Sequence, residues 1–195
     1  MLVLASTSPT RRRVLDQAGV AYQAVAPGVD EETAKLWLRA EGLSSRDQAD
    51  ALAELKARAG WARTQEPTLG CDQTLEFEDE TFDKPEDIDA LRRQLDRLRG
   101  KTHVLHSALV LVEHGAPTWR EVVSVTLTMR PFSDSFLDDY LAVEGEALLG
   151  SVGGYRIEGP GVQLFDRIGG DHFAVLGLPL MGLLSALRQR GLSPL

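Results

Sequence analysis

Leu2-Val3-Leu4-Ala5-Ser6-Thr7-Ser8-Pro9-Thr10-Arg11-Arg12-Arg13-Val14-Leu15, stopped at Gly19, is the stretch whose reading decides the fold. Four apolar residues in a row read as a short buried strand. Ser8 is a helix N-cap type, Pro9 suits the first helical position, and Gly19 is a stop signal. A buried strand that runs straight into a capped helix begins a strand–helix unit and points to an α/β fold. The junction also has chemistry. The free N–H groups of a first helical turn and the helix dipole make an anion site. Arg11 adds a forked donor suited to phosphate. A cation in a first turn opposes the dipole, so Arg11 there suggests a bound anion. A plain cap followed by three solvated arginines is the competing reading.

Apolar runs and amphipathic segments alternate along the rest of the chain. Ala21 to Ala26 reads as a second strand. Ser45 is placed to cap a helix running to about Ala59, with Gly60 ending it. Thr68 to Phe77 looks extended. Pro85 opens a helix with Ile88, Leu91, Leu95 and Leu98 on one side and Gly100 as its close. Thr102 to Val112 and Trp119 to Met129 are β-rich, joined by a turn at His114-Gly115-Ala116-Pro117. Ser133 to Val143 reads as a helix. A closing helix starts near Pro179, stacks Leu180, Leu183, Leu184 and Leu187, and ends at Gly191.

The 195 residues fit one domain and bury a core without disulfides or structural metal. With 21 Lys+Arg against 29 Asp+Glu, the net charge of −8 gives no general attraction to nucleic acid or anionic lipid. The most apolar stretch, Phe173 to Leu187, is broken by Gly177, Pro179, Gly182 and Ser185 and falls short of the ~18–20 residues a spanning helix needs. The arginines follow the apolar start rather than precede it, the reverse of a signal peptide. The single cysteine, Cys71, suits a reducing, cytoplasmic compartment.

Several residues break the pattern around them. Lys56 falls among Leu52, Leu55 and Ala59 on the face read as apolar, so it must snorkel, pair with an acid or reach a ligand. Asp30-Glu31-Glu32 follows Pro27-Gly28 and reads as loop. Asp72 ends an apolar run, where ligand sites of open α/β sheets lie. Such acids either hold a hard divalent cation or are simply solvated. Lys84, between Asp83 and Pro85, directly precedes the helix read there and meets a phosphate or only water. The run from Val152 to Gly161 is rich in glycine yet lacks a dinucleotide fingerprint, and reads as a long loop. His103 and His106, three apart in a β-rich run, point to opposite faces and read as structural. Ser8 has no evident histidine–acid support, so a serine hydrolase is a weak reading.

Taken in order, Leu4 to Arg11, Val29-Asp30-Glu31, Lys56 to Ala59, Gly70-Cys71-Asp72-Gln73, Asp83-Lys84-Pro85, Gly153 to Gly159 and Val175 to Leu180 resemble the Maf family of nucleoside triphosphate pyrophosphatases. The likeness covers Leu4 to about Leu187. It implies an inosine-triphosphatase-like α/β fold, with two lobes around an elongated mixed sheet and a nucleotide cleft between them. It implies hydrolysis of a nucleoside triphosphate to the monophosphate and pyrophosphate with a divalent cation, Mg2+ or Mn2+. The family's Ser-x-x-Arg motif falls on Ser8 and Arg11, its early acid on Glu31, its helix lysine on Lys56, its catalytic aspartate on Asp72 and its Lys-Pro lysine on Lys84. On this resemblance Asp72 is metal ligand and general base, Glu31 is its metal partner, and Arg11, Lys56, Lys84 and the helix start at Ser8 hold the phosphates. A homodimer is compatible with the family, although no interface stripe is legible.

The family's three specificity positions correspond to Thr10, Gln73 and Glu158. The pyrimidine (dTTP/UTP) type usually has Arg, Thr and Gln there, and the 7-methyl-GTP type Trp, Gln and Glu. The chain matches the second type at Gln73 and Glu158 and neither type at Thr10. A carboxylate only accepts hydrogen bonds, which suits guanine's paired donors and still better a cationic methylated guanine. The expectation is therefore house-cleaning of a modified or guanine-type triphosphate. The alternatives are a pyrimidine triphosphate enzyme and a nucleotide-binding regulator of cell division.

Overall fold

β1 (Leu2–Ala5) is buried at every position, and Ser8 caps α1 (Pro9–Gln17) directly after it, as the opening stretch predicts. The computed structural model describes residues 1–192. The chain continues through β2 (Tyr22–Val25), α2 (Glu31–Ala40), α3 (Ser45–Thr64), β3 (Thr68–Phe77), β4 (Glu80–Phe82), α4 (Ile88–Leu98), β5 (Thr102–Glu113), β6 (Ala116–Met129), α5 (Asp134–Glu144), β7 (Phe165–Gly169), α6 (His172–Val175) and α7 (Leu180–Gln189). Seven strands hydrogen-bond in the order β2-β1-β3-β5-β6-β7, with β4 on β3. β1 runs parallel to β2 and β3, whereas β3–β4 and β6–β7 are antiparallel, so the α/β sheet is mixed.

The chain gathers into two compact units, and β3, β5 and β6 each pass from one into the other. The first unit holds residues 1–73, 106–124 and those from 171 onward. Strand alternation gives its sheet two unlike faces. Leu69 and Cys71 of β3 and Leu109 and Leu111 of β5 join Leu2, Leu4, Val14, Leu15, Leu180, Leu183 and Leu187 in one core, so α1 and α7 cover that face. The other face is lined with small residues: Ala108 and Val110 of β5 pack on Ala49, Ala53 and Ala57 of α3.

Two glycines let α3 lie close to the sheet. A Cβ on Gly70 would stand 2.0 Å from the Ala53 carbonyl oxygen and 2.5 Å from the Ala57 nitrogen. A Cβ on Gly60 would stand 2.8 Å from Thr68 Cγ2 and 3.0 Å from Ala5 Cβ. Gly60 therefore does not end the helix as the sequence suggests. It is an interior residue retained for close approach, and α3 runs on to Thr64, closed by Gln65 at φ 57°. Ser44, not Ser45, is the cap. The buried stripe is Gln48, Leu52, Lys56 and Gly60 with their neighbours, and Leu55 faces outward. The acids read as loop form the start of α2 instead. Asp30 caps it, its carboxylate accepting from the Thr33 N–H, and Glu31 and Glu32 fill the first turn, where the dipole favours them.

The second unit holds residues 74–105 and 125–170. Glu78 and Asp79, both at positive φ, form the tight turn between β3 and β4. On α4, Leu91, Leu95 and Leu98 are buried as their spacing predicts, but the helix starts at Ile88 behind an Asp87 cap rather than at Pro85. His103, Tyr155 and Phe165 form a buried ring cluster in which His103 Nε2 and Tyr155 Oη are 2.7 Å apart. Burial drops the His103 pKa to about 4, so the imidazole is neutral. In the first unit His106 Nδ1 bonds Ser124 Oγ. Both histidines are structural, as their spacing predicts.

Candidate active site

The first unit brings together the residues that looked out of place in the sequence. β1 ends at Ala5, paired with Gly70, so β3 continues past it through Cys71, Asp72 and Gln73. The close approach of α3 at Gly70 sets Lys56 beside this extension. Lys56 Nζ donates to Asp72 Oδ1 at 2.6 Å and to Glu31 Oε2 at 2.9 Å. The Lys56 and Asp72 side chains are 7% and 8% exposed, whereas Glu31 is 38% exposed. Lysine is rarely buried without a partner, and the paired acids explain this one. Three distant segments thus meet at one ammonium.

Two carboxylates drawn to one cation also suit a hard divalent ion. Such an ion takes oxygen donors and in nucleotide sites usually binds one or two carboxylates together with phosphate oxygens and water. Among the described residues no group of three or more His, Cys, Asp or Glu gathers to form a fuller cage. Asp72 and Glu31 offer oxygen donors of the kind such an ion takes.

The β1–α1 junction lies against the same strand extension. Arg11 Nε donates to the Gly177 carbonyl at 2.9 Å, and Nη1 donates to the Cys71 carbonyl at 3.0 Å and Ser6 Oγ at 3.4 Å. The guanidinium therefore ties α1 to the residue before Asp72 and to the turn after α6, using Nε and Nη1 and keeping Nη2 outside these bonds. Gly177 sits at φ +81°, a backbone conformation that strains other residues, and a Cβ there would also stand 3.3 Å from Arg11 Nε. The Ser8 hydroxyl accepts the Arg11 backbone N–H, and Ser6 Oγ accepts the Ser8 N–H. No acid enters the first turn of α1, so its positive end is not neutralised from within the helix. Thr10 is half-buried in that turn.

On β3, alternation sends Asp72 toward α3 and Gln73 to the opposite face, where its amide meets Ser107 and the end of α6. The remaining two expected residues belong to the second unit. Lys84 is exposed in the connection between β4 and α4, three residues short of the Asp87 cap, so it does not directly precede the helix. Glu158 is exposed in a turn whose neighbours Tyr155 and Ile157 are buried. Ser6 belongs to the opening stretch but carries no role of its own there, and Ser107 does not stand out in the sequence. Each is a common small polar residue in a strand or at its end, and its bonding depends on partners far away in the chain.

A family described as Maf-like protein matches residues 1–190. The chain belongs to the Maf family. Within it, a nucleoside triphosphate pyrophosphatase of Caulobacter vibrioides is 52% identical over 97% of this chain and 96% of its own length. A second protein of that name, from Hyphomonas neptunium, is 49% identical over 99% and 98%. A 7-methyl-GTP pyrophosphatase of Rhizobium meliloti is 45% identical over 98% and 96%. A solved dITP/XTP pyrophosphatase from Mycobacterium abscessus aligns over 98% of this Maf chain and 95% of its own, at 17% identity and a TM-score of 0.42. No helix among the described residues of this Maf protein is long and apolar enough to cross a membrane.

Proposed function

We propose that this Maf protein hydrolyses a nucleoside triphosphate to the monophosphate and pyrophosphate. The observation that carries the reading is the buried Lys56 ammonium held between Asp72 and Glu31, beside a junction tied down by Arg11. Relatives spanning the whole chain bear the matching names.

In this reaction a water oxygen bonds to the α-phosphorus and the bond from that phosphorus to the α–β bridging oxygen breaks. Asp72 is assigned as the acceptor of the water's proton. Its Oδ1 is held by Lys56, so the carboxylate has a set orientation. Arg11, through Nη2, and the start of α1 at Ser8 are assigned to phosphate oxygens, where charge-assisted bonds are strongest. Lys56 is assigned the same task once substrate arrives. Lys84 is assigned to the departing pyrophosphate on the resemblance alone. Asp72 and Glu31 are the residues that would hold Mg2+ or Mn2+, which when bound supplies charge neutralisation at the phosphates.

For the base, Gln73, Glu158 and Thr10 are assigned as contacts, and a guanine-type or methylated guanine triphosphate is the proposed substrate. A carboxylate at 158 accepts from the donors on that base's edge. The test is pyrophosphate release over a panel of canonical, modified and methylated triphosphates, with and without magnesium or manganese. Release from a guanine-type member, dependent on metal, is expected. Silence across the panel would overturn hydrolysis and leave a binding protein. Glu158→Gln should shift the ranking toward pyrimidines, and an unchanged ranking would remove the base assignment.

A further inference from the structure

Gln73 is not free to present either end of its amide. Its Nε2 lies 2.8 Å from Ser107 Oγ, 3.0 Å from the Ala174 carbonyl oxygen and 3.1 Å from the Val175 carbonyl oxygen. Carbonyls only accept hydrogen bonds. Ser107 Oγ in turn donates its one proton to the Ala174 carbonyl at 2.6 Å, so it faces Gln73 with lone pairs. Turning the amide over would press Oε1 against two carbonyl oxygens and a hydroxyl with no proton left to give. Ser107 is fully buried, and leaving buried polar atoms unpaired there is costly. The two carbonyls come from the end of α6, and the Ala174 carbonyl also accepts the Gly177 N–H at 2.9 Å, so every group facing the Gln73 amide nitrogen there is an acceptor.

We propose that Ser107 is a specificity-positioning residue. With the end of α6 it fixes the Gln73 amide so that only the acceptor Oε1 remains for a ligand. A side chain locked in this way selects a base that presents an N–H at that point, as the amino or imino group of a guanine does. It repels a base that presents a carbonyl there. A freely turning glutamine would accept both. The proposal rests on the assignment of Gln73 as a base contact.

Steady-state pyrophosphate release from GTP, 7-methyl-GTP, UTP and dTTP tests it in Ser107→Ala, Ser107→Thr, Gln73→Met and the Ser107→Ala/Gln73→Met double variant. Ser107→Ala should raise KM for the guanine-type substrates by about 3- to 10-fold, the worth of one neutral hydrogen bond, with the change in KM rather than kcat. It should not raise KM for the pyrimidine substrates. Ser107→Thr, which keeps the hydroxyl, should restore the ranking, and Ser107→Ala should add nothing once Gln73 is methionine. An equal loss on all four substrates would overturn the proposal, because that is the mark of a merely structural role. If Gln73→Met collapses the ranking and Ser107→Ala leaves it intact, the lock alone is overturned. If Gln73→Met leaves the ranking intact, the base assignment falls and the lock with it. The unmutated protein gives an independent readout by NMR. The Gln73 side-chain NH2 should show two separate, slowly exchanging proton signals, and fast exchange with solvent would overturn the lock.

Discussion

Replacing Lys56 with methionine removes an ammonium from between two carboxylates while keeping most of the side chain's volume. The Asp72 carboxylate is then left 8% exposed with its nearest counter-charge gone, and the half-open Glu31 stands beside it. Breaking one side of a buried pair costs about 3–5 kcal/mol. The Glu31 arm adds about 0–1 kcal/mol, because water screens it. A net loss of about 3 kcal/mol at neutral pH is the working figure.

Urea unfolding followed by tryptophan fluorescence measures this well, because Trp37, Trp61 and Trp119 all lie in the first unit. With a slope of about 2–3 kcal/mol per molar, the midpoint at pH 7 should drop by about 1 M. An unchanged midpoint at pH 7 would refute the reasoning.

Three further outcomes are expected. Gly70→Ala drives a methyl into the α3 backbone 2.0 Å away, so it should cost about 3 kcal/mol or more. Pyrophosphate release should fall with it as Lys56 is pushed off Asp72, and a fully active, fully stable variant would contradict the close-approach account. His103 is neutral when folded, with a pKa near 4 against 6.5 in the open chain. It therefore takes up a proton more readily when unfolded, and stability should decline by about 3 kcal/mol in total as pH falls from 6.5 through 4. Circular dichroism melts of His103→Phe should lose that slope, and retention of the full slope would contradict the assignment. Cys71 is fully buried and its thiol is raised to about 11, so a disulfide reagent at pH 8 should react only after unfolding. Prompt reaction of the native protein would show that the core around β3 is open.

Much of this architecture is local and so can be read along the chain. The Ser8 cap, Pro9 and the leucine spacing of α4 and α7 each act within a few residues, and the structure reproduces them. α2 escaped because Leu36 and Trp37 are exposed and Leu38 is its one buried residue, so it carries no apolar stripe. Gly60 reads as a helix stop in the sequence because a glycine that stops a helix and one that lets a strand approach look alike until the strand is in place. β4 and β7 are short segments whose pairing is set by other strands.

The site divides in the same way. Lys56 was visible as a charge on a buried face, although that face was placed one residue off, with Leu55 turning outward. Its partners, Glu31 and Asp72, lie 25 and 16 residues away, and only the fold brings them together. The amide orientation of Gln73 depends on groups 34 and 101 residues away, which no local pattern reveals.

The central claim is attack of water on the α-phosphorus at the site built on Asp72. Hydrolysis of the preferred triphosphate in 18O-water, followed by mass spectrometry of both products, tests it most directly. One 18O atom should appear in the nucleoside monophosphate and none in the pyrophosphate, and Asp72→Asn should lose this product pair while still folding. Label in the pyrophosphate, release of orthophosphate with a nucleoside diphosphate, or near-normal turnover by Asp72→Asn would contradict it.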